Sequence, residues 1–243
     1  LLAETIRHSG QWSVPGFTAW SPAALTVDNS WIGFRASGFQ LAAAGDVVVN
    51  GGGARLELGG NRVVYTNAAQ SSGYRYTFSE PDRPSLACGG SLILTNGGRL
   101  TVYAGPTNAA SPAYGALIAV TNDLYVGNGS WVVPVSHWTN GGSVRFSMNR
   151  LTVWTNGGFN ATGAGYRGGG TGERGYGPGG GGLQGGGSYG GLGGEGCGSL
   201  TYGSAENPLA PGSGGGGYYS SAVYNACGMP GGGLVWIEAR DRI

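Results

Sequence analysis

The sequence predicts an all-β protein: a right-handed parallel β-helix that leads into a glycine-rich bundle. Three observations predict this fold. Short β-type phrases recur between residues 24 and 160, a Thr-Asn turn phrase returns at irregular intervals, and Gly163–Gly233 holds 31 glycines among 71 residues while keeping many aromatic and aliphatic side chains. An antiparallel β-sandwich is the alternative, in which the same turns close hairpins.

The predicted solenoid is built on repeated strand and turn phrases. Leu25-Thr26-Val27 returns as Leu100-Thr101-Val102 and as Leu151-Thr152-Val153. Thr-Asn pairs begin at Thr66, Thr95, Thr121, Thr139 and Thr155, at spacings of 29, 26, 18 and 16 residues. Loose repeats near this length are typical of a parallel β-helix with loops inserted at one corner, and stacked rungs would align asparagines in a ladder.

Residues 1–22 match nothing that follows them. We expect this segment to form a cap over the solenoid end or an arm that docks on a neighbouring subunit, with a plain N-terminal strand as the alternative. Its aromatic side chains, Trp12, Phe17 and Trp20, are candidate interface or binding residues because aromatics are enriched at interfaces. The expected organisation is therefore an arm or cap at 1–22, a solenoid at 23–162, and a glycine-rich bundle with a closing strand at 163–243.

The glycine block, Gly163–Gly233, differs from a flexible linker because it carries many side chains that can pack. Glycine loses the most backbone entropy on folding, so a folded block needs something that glycine alone permits, namely close approach of backbones. Parallel extended chains in a threefold conformation achieve this, but runs such as Gly214–Gly217 break the strict period of collagen. A disordered tail is the alternative. The apolar run Leu234–Ala239 predicts that the chain then returns to the β-core.

The order of these motifs resembles secreted bacterial β-helix proteins whose glycine-rich block ends in a GGG-apolar-x-apolar-E-A strand. The matching stretches include Gly163–Tyr166, Gly175–Gly180, Ser188–Gly191, Pro211–Gly217 and Gly231–Ala239. The resemblance covers about residues 90 to 239, and residues 1–22 lie outside it. It implies a bundle of polyglycine-II helices with tyrosines at its rim, and it implies no activity.

The cysteines predict at most one disulfide and no metal site. Cys88, Cys197 and Cys227 include no Cys-x-x-Cys spacing, and the chain has only 2 histidines. A Cys197–Cys227 disulfide would close a loop worth roughly 3 kcal/mol in the chain-entropy model. Cys88 would then be free or intermolecular. Isolated buried thiols are the alternative.

Composition and charge narrow the classes of function. The net charge is +1 and lysine is absent, so there is no basic footprint for nucleic acid, and no apolar run is long enough for a membrane span. Enzymes built on β-helices need paired carboxylates, and only Glu80 and Asp82 form a local acidic cluster, in a proline-rich stretch that we interpret as a solvated loop. We expect no enzyme activity, no catalytic residues and no cofactor.

We therefore predict an extracellular structural protein, secreted or on the cell surface, that assembles with copies of itself into a filament, sheath or surface layer. An adhesin that recognises surface glycans through the glycine block, with Tyr218 and Tyr219 as binding aromatics, is the alternative. A polysaccharide lyase or hydrolase acting through Glu80 or Asp82 is a third hypothesis, and ice binding through flat Thr-Asn or glycine faces is a fourth.

Overall fold

The computed structural model describes most of the chain. Described are residues 3–6, 10–12, 17–36, 38–60, 63–66, 75–78, 83–107, 114–194, 200–204, 206, 208–218 and 227–242. Of residues 3–6, 10–12, 63–66, 75–78 and 242, the backbone alone is considered.

The described residues form strands and no helices. The strands are β1 (Ala3–Ile6), β2 (Gly10–Trp12), β3 (Ala19–Trp20), β4 (Ala24–Asp28), β5 (Trp31–Phe34), β6 (Gln40–Ala43), β7 (Val47–Asn50), β8 (Arg55–Leu58), β9 (Val63–Thr66), β10 (Arg75–Phe78), β11 (Ser85–Cys88), β12 (Leu92–Thr95), β13 (Arg99–Tyr103), β14 (Ala116–Val120), β15 (Asp123–Val126), β16 (Trp131–Val135), β17 (Val144–Val153), β18 (Gly158–Phe159) and β19 (Trp236–Arg242).

All but two of these strands stack in three rows of parallel neighbours. Row 1 contains β3, β6, β11, β14, the first half of β17, and β19. Row 2 contains β1, β4, β7, β12, β15 and the second half of β17. Row 3 contains β2, β5, β8, β13, β16 and β18. The chain visits the rows in a fixed order, so the fold is a β-solenoid. The antiparallel sandwich is wrong, because among the described strands only β9 and β10 pair antiparallel.

The core is a set of stacked apolar side chains, because inward positions alternate with outward ones along each strand. In register, each row supplies columns of like residues. One such column per row consists of Leu41, Leu86, Ile118, Phe146 and Ile237 in row 1, Leu25, Val47, Leu92, Leu124 and Leu151 in row 2, and Ile32, Leu56, Leu100, Val132 and Phe159 in row 3. Nearly all are buried, and each buried aliphatic side chain contributes about 1.5–3 kcal/mol.

Almost all variation in length falls at one corner of the solenoid. Where the chain passes from row 1 to row 2, or from row 2 to row 3, breaks between strands are two to four residues long. Passage from row 3 back to row 1 uses residues 13–18, 35–39, 59–84, 104–115, 136–143 and 160–235. This matches the expectation of loops inserted at one corner, which we call the insertion corner. The β9–β10 hairpin lies in one of these insertions, and the glycine block lies in the longest.

The Thr-Asn phrase occupies all three corners. Thr95 and Thr155 begin turns between rows 2 and 3, Thr121 follows row 1, and Thr139 lies at the insertion corner. The loose spacing in the sequence therefore mixes corners that are not equivalent. The expected asparagine ladder exists over part of the solenoid, between rows 2 and 3. There the Asn50 Nδ2 donates to Asp28 Oδ1 at 2.8 Å, the Asn96 Nδ2 donates to Asn50 Oδ1 at 2.8 Å, and Asn156 contacts Asn128 at 3.5 Å.

The N-terminal segment contributes strands to the solenoid itself. The strands β1, β2 and β3 pair in parallel with β4, β5 and β6 in rows 2, 3 and 1. The described residues 3–6, 10–12 and 19–20 therefore extend the three rows by further strands in register, which corresponds to the alternative of a plain N-terminal strand. No separate arm is formed by the described residues of this segment.

Within the glycine block, extended segments hydrogen-bond sideways with a period of three residues. Gly214 and Gly217 donate to the carbonyls of Tyr176 and Glu173, both in one neighbouring segment, at 3.0 and 2.8 Å. Between them, Gly215 donates to Met229 and Gly216 donates to Gly185, each at 2.9 Å, in two other segments. Successive amides thus point to three different neighbours, and the direction repeats at every third residue.

A second set of bonds has the same period. Tyr166 and Gly169 donate to the carbonyls of Gly212 and Gly215 at 3.0 and 2.9 Å, so both partners are three residues apart. These segments pack so closely that a side chain would not fit at many glycines. A Cβ built at Gly216 would overlap the carbonyl oxygen of Gly182, and one at Gly217 would overlap that of Gly170.

After the glycine block the chain returns to the β-core, as the sequence predicts. Strand β19 pairs in parallel with β17, with Ile237 beside Phe146 and Ala239 beside Met148. Both ends of the glycine block are therefore fixed to the solenoid, at β18 in row 3 and at β19 in row 1.

No helix among the described residues is long and apolar enough to cross a membrane.

Glycine-to-alanine substitutions test the packing of the glycine block. Gly216→Ala should lower the free energy of unfolding by at least about 2 kcal/mol, because the added methyl group meets backbone carbonyls that have no free rotation. Chemical denaturation followed by tryptophan fluorescence measures the change.

The matched control is Gly191→Ala, because a Cβ at Gly191 meets nothing within 4 Å. This control should change the free energy of unfolding by no more than about 0.5 kcal/mol. Equal midpoints for the two variants would contradict the close packing.

Candidate functional site

Two aromatics of the predicted N-terminal interface pack into the core. Phe17 lies with its ring centroid 5.3 Å from that of Phe39, and Trp20 lies 5.7 Å from Phe34. Both are partly buried against the hydrophobic core. Because Trp20 pairs with Leu41 in row 1, it continues the column of apolar side chains in that row.

The other predicted binding aromatics are described in part. Trp12 pairs with Phe34 in row 3, and its side chain lies outside the described part of the chain. Tyr218 is 37% exposed at the end of the central glycine run. Tyr219 lies outside the described residues. A binding role for Trp12, Tyr218 and Tyr219 stays a prediction.

The cysteines are placed as follows. Cys88 is a free, buried thiol at the turn between rows 1 and 2, where its Sγ donates to the carbonyls of Gly45 and Ser91 at 3.2 and 3.3 Å. Burial raises the pKa of this thiol, which keeps it protonated at neutral pH. Cys227 is an exposed free thiol in the structure, and Cys197 lies outside the described residues, so their pairing stays a prediction.

The residues weighed for catalysis give no assembled site within the described ranges. Glu80 and Asp82, the acidic pair weighed for a hydrolase, lie outside those ranges. His137 is buried at the insertion corner, where its Nδ1 accepts a hydrogen bond from the backbone amide of Asn140 at 3.2 Å. The described residues contain no group of three or more His, Cys, Asp or Glu side chains placed to hold a metal ion.

One cation–aromatic cluster joins the glycine block to the solenoid. The Arg167 guanidinium lies 4.9 Å from the Trp138 ring centroid and 4.5 Å from that of Tyr176. Its Nη2 also donates to the Tyr176 hydroxyl at 3.2 Å and lies 3.5 Å from Glu173 Oε2. Since Trp138 belongs to the insertion 136–143 and the other residues belong to the glycine block, this cluster holds the block against the preceding rung.

Backbone bonds and a buried tyrosine complete this junction. The amide of Ser136 donates to the Ala164 carbonyl at 2.8 Å, and the amide of Arg167 donates to the Trp138 carbonyl at 3.1 Å. The Tyr166 hydroxyl donates to the Asn140 carbonyl at 3.1 Å. Burial raises the pKa of Tyr166, so the hydroxyl keeps its proton and its role as a donor.

The described surface of the glycine block exposes large apolar side chains. Four residues are more than three quarters exposed, and Leu183 is half exposed; the four are Leu192, Leu200, Leu209 and Met229. In the solenoid, by contrast, the leucines of the stacked columns are buried. The two parts of the chain therefore differ in the exposure of their leucines. A contiguous patch of such side chains marks a surface that associates with other molecules, whereas single exposed apolar residues are ordinary on a protein surface.

A shallow cleft of about 400 Å³ lies between three segments of the glycine block. Its walls are mostly glycine backbone from residues 186–189, 212–215 and 229–232, with Ser188, Tyr189 and Ser213 as the polar side chains. The cleft presents peptide groups more than ionisable side chains, so it offers hydrogen bonding and no acid–base pair.

The outer surface of row 3 carries an aligned set of aromatic and cationic residues. Trp31, Arg55, Arg99 and Trp131 are successive partners in register at the start of β5, β8, β13 and β16. Both arginines and Trp131 are exposed, and Trp31 is partly exposed. The next residue in this register is Gly158, and a Cβ there would lie 3.4 Å from the Trp131 ring, so that ring extends over the neighbouring strand.

The outer surface of row 1 ends in a charge-paired cluster. The Arg145 Nη2 donates to Glu238 Oε2 at 2.5 Å, and its guanidinium lies 5.5 Å from the Trp236 ring and 5.6 Å from that of Tyr114. The hydrogen bond from Arg145 lowers the pKa of Glu238. The arginine and glutamate neutralise each other, and they tie β19 to β17.

Sequence reasoning missed the row 3 set because its members are far apart in the chain and unevenly spaced. Their spacing depends on the lengths of insertions 35–39, 59–84 and 104–115. A usable signal was present in the strands themselves. Each of these four residues is the first of its strand and directly precedes a buried aliphatic residue. The two residues after that aliphatic residue face outward and inward in turn.

The Arg167 cluster can be tested by a conservative substitution. Arg167→Lys keeps the charge but removes the planar guanidinium, so it should lower the free energy of unfolding by about 1 kcal/mol. The matched control is Arg55→Lys, since Arg55 is exposed and makes no stacking contact among the described residues. Equal stabilities in a denaturant titration would contradict the role of the cluster.

No protein-family model, curated protein or solved structure matches this chain.

Proposed function

We propose that this protein is an extracellular structural subunit that associates with copies of itself into a filament, sheath or surface layer. The observation that supports the proposal best is the set of large apolar side chains on the glycine block, of which Leu192, Leu200, Leu209 and Met229 are more than three quarters exposed. Leaving them in water costs free energy that association would recover.

The solenoid supplies the rigidity that such a subunit needs. Its columns of like side chains and its in-register backbone bonds make a regular body, and both ends of the glycine block are fixed to that body. An apolar surface that is already held in one geometry loses little conformational entropy on association, because few of its groups must become ordered when the subunits meet. Self-association through one surface of this kind gives a defined assembly, which is closed or open according to its symmetry.

The finer description of the fold is part of this proposal. We infer a right-handed solenoid, since right-handed crossovers dominate parallel β connections. We infer that the glycine block is a polyglycine-II-like bundle, because its lateral hydrogen bonds repeat every three residues. The resemblance to secreted bacterial β-helix proteins with such a block supports the extracellular location. If that location is oxidising, a disulfide between Cys197 and Cys227 is expected there.

Recognition of surface glycans is the second candidate function, and a specific observation favours it. Trp31, Arg55, Arg99 and Trp131 form an aligned outer surface on row 3 that contributes nothing to the core. This surface belongs to the solenoid, whereas the tyrosines that the sequence indicated for an adhesin belong to the glycine block. It supports a binding site on the solenoid, and the glycine block remains the surface for association.

Replacing the exposed apolar side chains should weaken self-association. The variant Leu192→Ser/Leu209→Ser/Met229→Gln should sediment as a smaller species than the unmodified protein at equal concentration, because less apolar surface is buried on association. Sedimentation velocity over a wide concentration range measures this, with negative-stain microscopy to show any filaments.

The control variant is Val153→Thr, which changes an exposed apolar residue of the solenoid. It should associate like the unmodified protein. If the unmodified protein stays monomeric at the highest concentration and no filaments form, the structural proposal is wrong.

A further inference from the structure

The outer surface of row 3 carries two like charges side by side. Arg55 and Arg99 are direct partners in the parallel register of β8 and β13. Neighbouring strands lie about 4.8 Å apart, so the two guanidinium groups share one small area of surface. Like charges placed directly opposite each other destabilise a sheet. This arrangement therefore costs stability, and nothing in the packing of the core requires it.

No described residue neutralises this pair. Neither Arg55 nor Arg99 forms an ion pair or a hydrogen bond with the side chains that the structure describes. A carboxylate on the same face of β8, that of Glu57, is already engaged, since its Oε2 lies 3.3 Å from Arg35 Nη2 and its side chain is only 12% exposed. The two exposed guanidinium groups thus remain available to an external anion.

Tryptophans flank the arginine pair on both sides. Trp31 precedes Arg55 in the register, and Trp131 follows Arg99. The Trp131 ring extends over Gly158, whose missing side chain leaves room for the ring to lie along the sheet. From Trp31 to Trp131 the row spans three strand spacings, or about 14 Å. The result is a linear platform with an aromatic ring at each end and two cations in the middle.

We propose that this platform binds a linear anionic glycan, an oligosaccharide that carries carboxylate or sulfate groups. The guanidinium groups of the two arginines hydrogen-bond to the anionic groups, because a planar guanidinium can donate two parallel hydrogen bonds to a carboxylate or a sulfate. The tryptophan rings pack against the apolar faces of sugar rings at either end. The glycan runs along the solenoid axis, across the strands, so that successive sugars meet successive rungs. This inference goes beyond self-association and does not depend on it.

Binding of defined oligosaccharides to the purified protein tests the proposal. The probes are a uronate oligomer, a sulfated oligomer and a neutral oligomer of similar length, measured by isothermal titration calorimetry at low and high salt. The uronate or the sulfated oligomer should bind, and whichever binds identifies the anionic group. Affinity should fall as salt rises, because the contacts are charged. The neutral oligomer should bind at least about tenfold more weakly.

Substitutions on the platform locate the site. Arg55→Gln and Arg99→Gln should each weaken anionic binding about tenfold, because each removes a charged hydrogen-bond donor. Trp131→Ala should weaken it while the salt dependence is kept. The matched control is Arg240→Gln, which removes one equal charge from β19 in row 1 and should leave binding unchanged. Circular dichroism and thermal melting confirm that each variant keeps its fold.

Several results would overturn the proposal. They are absence of binding to both anionic oligomers, equal binding of the neutral oligomer, and an equal loss of affinity in the Arg240→Gln control. Tighter binding of single-stranded DNA through the same four residues would also overturn it, since that result assigns the platform to a nucleic acid. Self-association is measured in a separate experiment, by sedimentation without any glycan, so that a failure of one proposal is distinguishable from a failure of the other.

Discussion

The in-register stacking of parallel strands is the constraint on which the rest of this structure depends. Because each rung must place its inward residues above those of the previous rung, two of the three corners are limited to short turns, and the third takes up almost every difference in length. The β9–β10 hairpin and the glycine block are both insertions at that corner. The glycine block is therefore a part of one turn of the solenoid, held at its start by β18 and at its end by β19.

Inside the glycine block a different constraint applies. Its segments are held by backbone hydrogen bonds in three directions, and this requires carbonyl oxygens to occupy the space where side chains would begin. Large apolar side chains such as Leu192, Leu209 and Met229 consequently lie at the surface. A solenoid that buries its leucines thus carries an insertion that exposes them. The two parts of the chain therefore place their large apolar side chains differently.

Sequence reasoning succeeded where the signal was local and failed where register was needed. Parallel β architecture, loops at one corner and the returning strand Leu234–Ala239 were all predictable from strand phrases and turns. Leu25 and Leu151 begin equivalent phrases in row 2, whereas the identical phrase at Leu100 lies in row 3, so phrase identity did not reveal position. The alignment of Arg55 with Arg99 was hidden for the same reason, because it depends on the length of an insertion.

Hydrogen exchange of the glycine amides tests the central claim most directly, namely that the glycine block is a hydrogen-bonded layer of the fold. By NMR on the intact chain, the amides of Gly214 to Gly217 should exchange at least about a hundredfold more slowly than in an unstructured peptide, because each donates to a neighbouring segment. Exchange of all four amides at the unstructured rate, with protected solenoid strands in the same sample, would contradict the claim.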